Sequence, residues 1–201
     1  DVIVDITGKT TIDGGVHQRH LGLTDYTLGW WRTYGGTSDD LAYSVVYTSD
    51  GGYAIAGDTS CTSDGRWDFL LIKTDADGNM QWSKTYGDVG SDELLRSMIK
   101  TADGGYALAG ALDNPHYADV DDFLLVKTDA NGNMQWNKTY GGASWELAES
   151  LVQTSDGGYA LVGPTKSFGN GGEDFWLVKT NSTGDLEWNK TYGRMSCSTP
   201  S

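Results

Sequence analysis

The sequence predicts an all-β protein: three antiparallel four-strand meander repeats, stacked as β-propeller-like blades and preceded by an N-terminal arm. Three observations carry this. Signature segments recur in constant order along the 201 residues. Each repeat holds four strand-like stretches separated by turn chemistry. The chain has 28 Gly, 8 Trp and 11 Tyr against only 3 Pro, which fits short strands joined by tight turns and excludes a disordered chain.

The recurrence sets the unit. Tyr34, Tyr86, Tyr140 and Tyr192 close the stretches WWRTYGG, WSKTYGD, WNKTYGG and WNKTYGR, at spacings of 52, 54 and 52 residues. DGGYA begins at Asp50, Asp103 and Asp156, each 53 residues apart. DFLLIKTD, DFLLVKTD and DFWLVKTN begin at Asp68, Asp122 and Asp174. A period of this length with four strands per unit points to blades that must stack to bury two apolar faces.

Within each unit the first strand is LAYSVVYT, LLRSMIKT or AESLVQT. In the second unit SDELLRSMIK also satisfies a helical pattern, and pairing with its neighbours is expected to override that local preference. A DGG turn follows, where glycine allows positive φ. The second strand is YAIAG, YALAG or YALVG, whose small residues are expected to let neighbouring sheets approach. A variable polar loop leads to the third strand, FLLIKT, FLLVKT or FWLVKT, a nearly continuous apolar run expected to be buried on both faces. The turn DADGN, DANGN or NSTGD then opens the fourth strand. Its Trp82, Trp136 and Trp188 are expected in the core, each burying roughly 150–250 Å².

The organisation predicted is an arm at 1–29, one domain of repeats at 30–193 (about 37–87, 88–141 and 142–193) and a tail at 194–201. Three units are fewer than the 4–8 blades of a closed ring. The arm carries alternating β-branched residues, Val2, Ile3, Val4 and Ile6. It is read as an ordered strand over 2–7 paired to an edge, either closing the array within the chain or donated to another subunit; fraying is the alternative. Cys61 and Cys197 are a candidate disulfide that would clasp the first unit to the tail, or link two subunits, and the alternative is two unrelated thiols.

The formal net charge of -14 disfavours nucleic acid and anionic lipid as partners. No apolar run approaches the ~20 residues of a membrane span. The start at Asp1 reads as a processed protein or a fragment.

Signals for chemistry are sparse. His17, His20 and His116 are dispersed, and the H-x-x-H pair alone is thin evidence for a metal. No nucleophile elbow, P-loop or zinc motif appears, so neither catalysis nor a cofactor is expected. Asp75, Asp77 and Asn79, with Asp129, Asn131 and Asn133, resemble the start of a calcium loop. No acid follows at the twelfth position, where Tyr86 stands in the first copy, and Asx residues with glycine also suit a plain hairpin turn. The acidic loop around Asp119, Asp121 and Asp122 is no stronger. Asn137, Asn181 and Asn189 each open an N-x-[ST] sequon and are glycosylation candidates.

The combination T-x-DGGYA, D-F-x-L-x-KTD and GNMQWNKTYGG, over about residues 30–193, resembles the tandem repeats of large secreted or surface proteins of archaea and some bacteria. The resemblance implies propeller-like blades and an extracellular or cell-surface location; it brings no catalytic residue. The expected function is a non-enzymatic structural or adhesive protein that self-associates through repeat edges or the arm, as a surface-layer or filament subunit. The alternative is a lectin-like, glycan-binding propeller, with Trp67, Tyr117 and Phe168 of the variable loops as aromatic platforms at unequal offsets.

Overall fold

The computed structural model describes the backbone of residues 3–4, 9–12 and 15–18, and residues 31–60, 65–113 and 120–193 in full. The chain divides into two compact units, Asp1–Arg32 and Thr33–Ser201, so the division falls inside the WWRTYGG stretch.

In the first unit, β1 (Ile3–Val4), β2 (Lys9–Ile12) and β3 (Gly15–Gln18) form a three-stranded antiparallel sheet in sequence order. Ile3 pairs with Thr11 and Val4 with Thr10. Part of the expected arm is therefore a strand, but the strand beside it is its own neighbour in sequence and not a blade edge. Antiparallel neighbours joined by a short connection pay little loop-closure entropy. Val2 and Ile6 lie outside the described residues. His17 lies on β3, opposite Thr10; His20 lies outside.

The second unit is three four-strand meanders. The first blade is β4 (Asp40–Tyr47), β5 (Tyr53–Thr59), β6 (Asp68–Thr74) and β7 (Met80–Tyr86). The second is β8 (Asp92–Lys100), β9 (Tyr106–Asp113), β10 (Asp121–Thr128) and β11 (Met134–Tyr140). The third is β12 (Ser150–Gln153), β13 (Tyr159–Thr165), β14 (Asp174–Thr180) and β15 (Leu186–Tyr192). Each sheet keeps its strands in sequence order, every pair antiparallel. SDELLRSMIK folds as strand β8, because sheet pairing supplies contacts that an isolated helix of this length lacks. The described part of β12 is short. Leu147 donates to the Pro164 carbonyl, but Pro164 has no N–H to return.

The turns explain two signatures. After the first strand, Gly51, Gly104 and Gly157 take φ of 85°, 87° and 84°, the left-handed region that glycine enters without strain. Asp50, Asp103 and Asp156 each accept a hydrogen bond from the Thr two residues before, at 2.5 Å. Their other carboxylate oxygens take the ammonium of Lys73, Lys127 and Lys179 at 2.7, 2.7 and 2.8 Å. Each buried Lys also donates to the next residue's carbonyl, Thr74, Thr128 or Thr180, and to Gln81, Gln135 or Glu187 on the fourth strand. The Asp of DGGYA and the Lys of KTD are thus one device, which satisfies a buried cation and ties three strands together.

The glycine ending the second-strand motif was expected to serve contact between sheets. It instead admits the adjacent strand of the same sheet. A Cβ on Gly57, Gly110 or Gly163 would lie 1.8, 1.9 or 1.8 Å from the carbonyl oxygen of Leu41, Leu94 or Leu147. These carbonyls lie where the first strand bulges, between Ala42 and Ser44 in the first blade and between Leu95 and Ser97 in the second.

The core lies between sheets. One cluster joins Ala54, Ala56, Phe69 and Leu71 of the first blade to Leu95, Met98, Leu108 and Val126 of the second. The other joins Ala107, Ala109, Phe123 and Leu125 of the second to Leu151, Leu161, Trp176 and Val178 of the third. The middle blade is buried on both faces, and its strand residues alternate between the two clusters as the pleat requires.

Candidate functional surface

The same parts build both blade junctions. The last Tyr of a fourth strand reaches the next blade's turn: Tyr86 donates to the Gly132 carbonyl at 2.7 Å, and Tyr140 to the Gly184 carbonyl at 2.6 Å. Tyr34 repeats the contact on the first blade, donating to the Gly78 carbonyl at 2.7 Å. Burial pushes the Tyr86 and Tyr140 hydroxyls well above the usual phenol range, with Asp129 and Asp185 nearby adding to the effect. Both therefore stay protonated donors.

The fourth-strand Trp meets the Tyr of the next DGGYA edge-on, with ring centres 6.3 Å apart for Trp82–Tyr106 and 5.7 Å for Trp136–Tyr159. The turn glycine makes room for that ring. At Gly132 (φ 75°) and Gly184 (φ 78°) an added Cβ would lie 2.6 and 2.7 Å from Trp82 and Trp136.

Carboxylates also converge at each junction. A Cβ on Gly87 would fall 2.2 Å from Asp68 Oδ1 and 2.5 Å from Glu93 Oε2; one on Gly141 would fall 1.7 Å from Asp122 Oδ1 and 3.0 Å from Glu146 Oε2. Glu93 Oε2 and Asp122 Oδ1 are buried without a hydrogen-bond partner among the described residues, as is Asp58 Oδ2. Burial, with Asp68 and Asp88 close by, lifts Glu93 to about 7. Burial lifts Asp58 to about 6, and burial plus the charge of Glu146 lifts Asp122. In each case burial between the sheets disfavours the charged carboxylate. Among the described residues no three His, Cys, Asp or Glu side chains group so as to hold a metal ion.

The calcium candidates are turn-formers. Asp75 Oδ1 accepts from the backbone N–H of Asp77 and Asn79, and Oδ2 accepts from the Asn79 side chain. Asp129 does the same with Asn131 and Asn133. Asp77 sits exposed within the first of these turns. Asn181 is used in the same way in the third turn, accepting from Thr183 and Asp185. Asn137 and Asn189 lie exposed on the outer strands β11 and β15, and Asn189 accepts from the Trp176 indole. Cys61, Cys197, His116, Tyr117 and Asp119 lie outside the described residues. Of the loop aromatics, Trp67 donates its backbone N–H to Asp92 at 2.8 Å. Phe168 packs against Trp176, with ring centres 4.8 Å apart.

The fourth-strand Trp residues depart from the core assignment. Trp82 and Trp136 are half-buried at the junctions, while Trp188, with no described blade beyond it, is exposed. Sequence reasoning missed the Tyr-to-Gly bonds and the carboxylate pairs. Their only signal was the fixed Tyr-Gly and Asp-Phe dipeptides, which read equally well as local strand chemistry.

Fold and junctions together define a β-repeat protein of propeller-like blades. No family model matches the chain. Over 159 residues it is 25% identical to the regulatory protein FlaEY of Caulobacter vibrioides, an alignment covering 68% of this chain and 16% of that protein. The chain thus spans less than a fifth of the length of the relative it resembles.

Proposed function

We propose that this chain is a structural or adhesive repeat protein of the extracellular surface, without a catalytic role, that self-associates. One observation carries the reading. The third blade repeats the sequence of the second, yet the face that the second buries against its neighbour is left exposed, with Phe175, Trp188 and Tyr192 outermost. Exposed apolar side chains grouped on one sheet face favour association. The sequon residues Asn137 and Asn189 are exposed, which is compatible with a glycosylated surface protein. The lectin alternative draws less support, because Phe168 packs on Trp176 instead of standing free as a sugar platform.

The test is immunogold labelling of intact source cells, with size-exclusion chromatography and negative-stain imaging of the native material. The expected result is surface label and assemblies larger than one chain. Cytoplasmic label, or a strictly monomeric native protein, would overturn the proposal.

A further inference from the structure

We infer that the cleft at the first blade junction is a binding site for a small alkylammonium ion, a protonated primary amine with a short alkyl chain. The ammonium sits at Glu93, and the chain lies against the apolar wall of the second blade.

The cleft holds about 140 Å³, the size of cavity that takes a molecule such as benzene. Leu112, Leu124, Val126 and Met134 make one side apolar, and Asp88 and Glu93 make the other acidic. Glu93 is 2% exposed, and its Oε2 has no hydrogen-bond partner among the described residues. Its Oε1 accepts from the Ser91 hydroxyl at 2.7 Å and from the Asp88 N–H at 3.4 Å. Asp68 brings a further carboxylate: its Oδ1 and Glu93 Oε2 both face Gly87, where an added Cβ would fall 2.2 and 2.5 Å from them. No cationic side chain is among the described residues lining the cleft. A buried acid beside other acids and apolar carbon is complemented by a cation that carries its own apolar part.

The second junction has the same place filled by the protein itself. Trp176 stands at the position of Leu124, buried, with its ring centre 4.8 Å from those of Phe123 and Phe168. Thr165 stands at the position of Leu112 in the strand register. Its hydroxyl donates at 2.8 Å to Oε1 of Glu146, the counterpart of Glu93. The Ser167 and Gly142 N–H groups donate to the same carboxylate at 3.0 and 2.9 Å, so both oxygens of Glu146 are satisfied. Leucine has no donor to replace Thr165 and less bulk than Trp176. The two replacements together open space and remove a donor at one carboxylate.

Burial first, then the charges of Asp68 and Asp88, raises Glu93 to about 7. An ammonium pairs with the ionised form. Affinity should therefore rise with pH up to about 7 and level off above it, while the amine stays protonated to about pH 10. Asp68 of β6 and Asp88 after β7 are the charged groups facing Glu93 among the described residues, and the cleft walls from β9, β10 and β11 are uncharged.

The experiment is a heteronuclear NMR titration of the backbone amides of the full chain with butylammonium chloride. Sodium chloride, calcium chloride and n-butanol are run at matched concentrations. Butylammonium alone should give saturable shifts centred on Gly87, Asp88 and Glu93, with a Kd of about 10 mM or tighter. Binding should be about fivefold or more weaker at about pH 5.5 than at about pH 7.5. Leu124→Trp and Leu112→Thr each give the first junction the residue that the third blade carries, so both should fold, with unchanged circular dichroism as the control. Each should weaken binding at least about tenfold. Glu93→Gln should do the same and remove the pH dependence. No saturable shift up to about 100 mM would overturn the site. Equal binding of n-butanol would overturn recognition of the cation, and the same shifts with calcium would make this a metal site instead. Folded Leu124→Trp and Leu112→Thr chains that bind as the parent does would place the amine elsewhere and overturn the proposal.

Discussion

Tyr140 and Gly184 are 44 residues apart in sequence and belong to different blades, yet the Tyr140 hydroxyl lies 2.6 Å from the Gly184 carbonyl oxygen. The Tyr86–Gly132 bond at the preceding junction has the same form. Tyr192, at the same repeat position, is exposed and has no described blade to reach. Equal sequence with unequal surroundings makes this position a direct measure of what a junction contributes.

Tyr140→Phe should lower stability by about 1–1.5 kcal/mol, the net worth of a buried hydrogen bond plus the carbonyl left without it. Tyr192→Phe, in dilute monomer, should change stability by less than about 0.5 kcal/mol. Urea unfolding of the two variants checks this, and equal losses would contradict the junction account.

The fourth-strand Trp residues should part in the same way. Trp136 packs on Tyr159 and the Gly184 turn, so Trp136→Ala should cost roughly 2–4 kcal/mol, somewhat below a fully buried aromatic. Trp188→Ala in dilute monomer should cost about 0.5 kcal/mol or less. Thermal or urea unfolding separates them.

Asp103→Asn keeps the shape of the turn and removes the charge that faces buried Lys127. The ammonium keeps its bonds to the Thr128 carbonyl and Gln135 but loses its counter-charge. Because Asp103 is half in solvent, the loss is screened, and roughly 1–3 kcal/mol is expected. The variant Lys127→Met, which removes the cation as well, should recover part of that loss when combined with Asp103→Asn.

The pH dependence follows from two opposed sets of acids. Asp50 and Asp156 are held well below the usual carboxylate range, first by the hydrogen bonds from Lys73 and Lys179. Their contribution is present above about pH 4 and is lost as pH falls. Glu93 and Asp58 are raised by burial, to about 7 and about 6. A raised folded-state value means stability that is full below about pH 4 and is lost as pH climbs through 6 and 7. Glu93→Gln should therefore match the parent near pH 4 and exceed it by roughly 1–3 kcal/mol at pH 8. Urea unfolding across this range reads the difference, and a constant offset would show that the carboxyl does not titrate between the blades.

The sequence by itself determined the period, the strands and the turns of this protein. Those features are local: positive-φ glycine at Gly51, Gly104 and Gly157, Asx chemistry at Asp75 and Asp129, and apolar runs of strand length at Phe69 and Phe123. The N-terminal stretch was legible as a strand at Ile3 and Val4, but its partner in β2 was not. Only the tertiary structure decided which side of each strand meets which blade, that Glu93 comes to lie beside Asp68, and that Tyr86 and Tyr140 are bonds across a junction. It alone separated Trp136, half-buried, from Trp188, exposed, although both stand in nearly the same motif. The physical reason is that a hairpin is specified by torsions and bonds within a few residues, whereas burial depends on the neighbour that covers a face, and a repeated motif is the same whether or not the next blade is there.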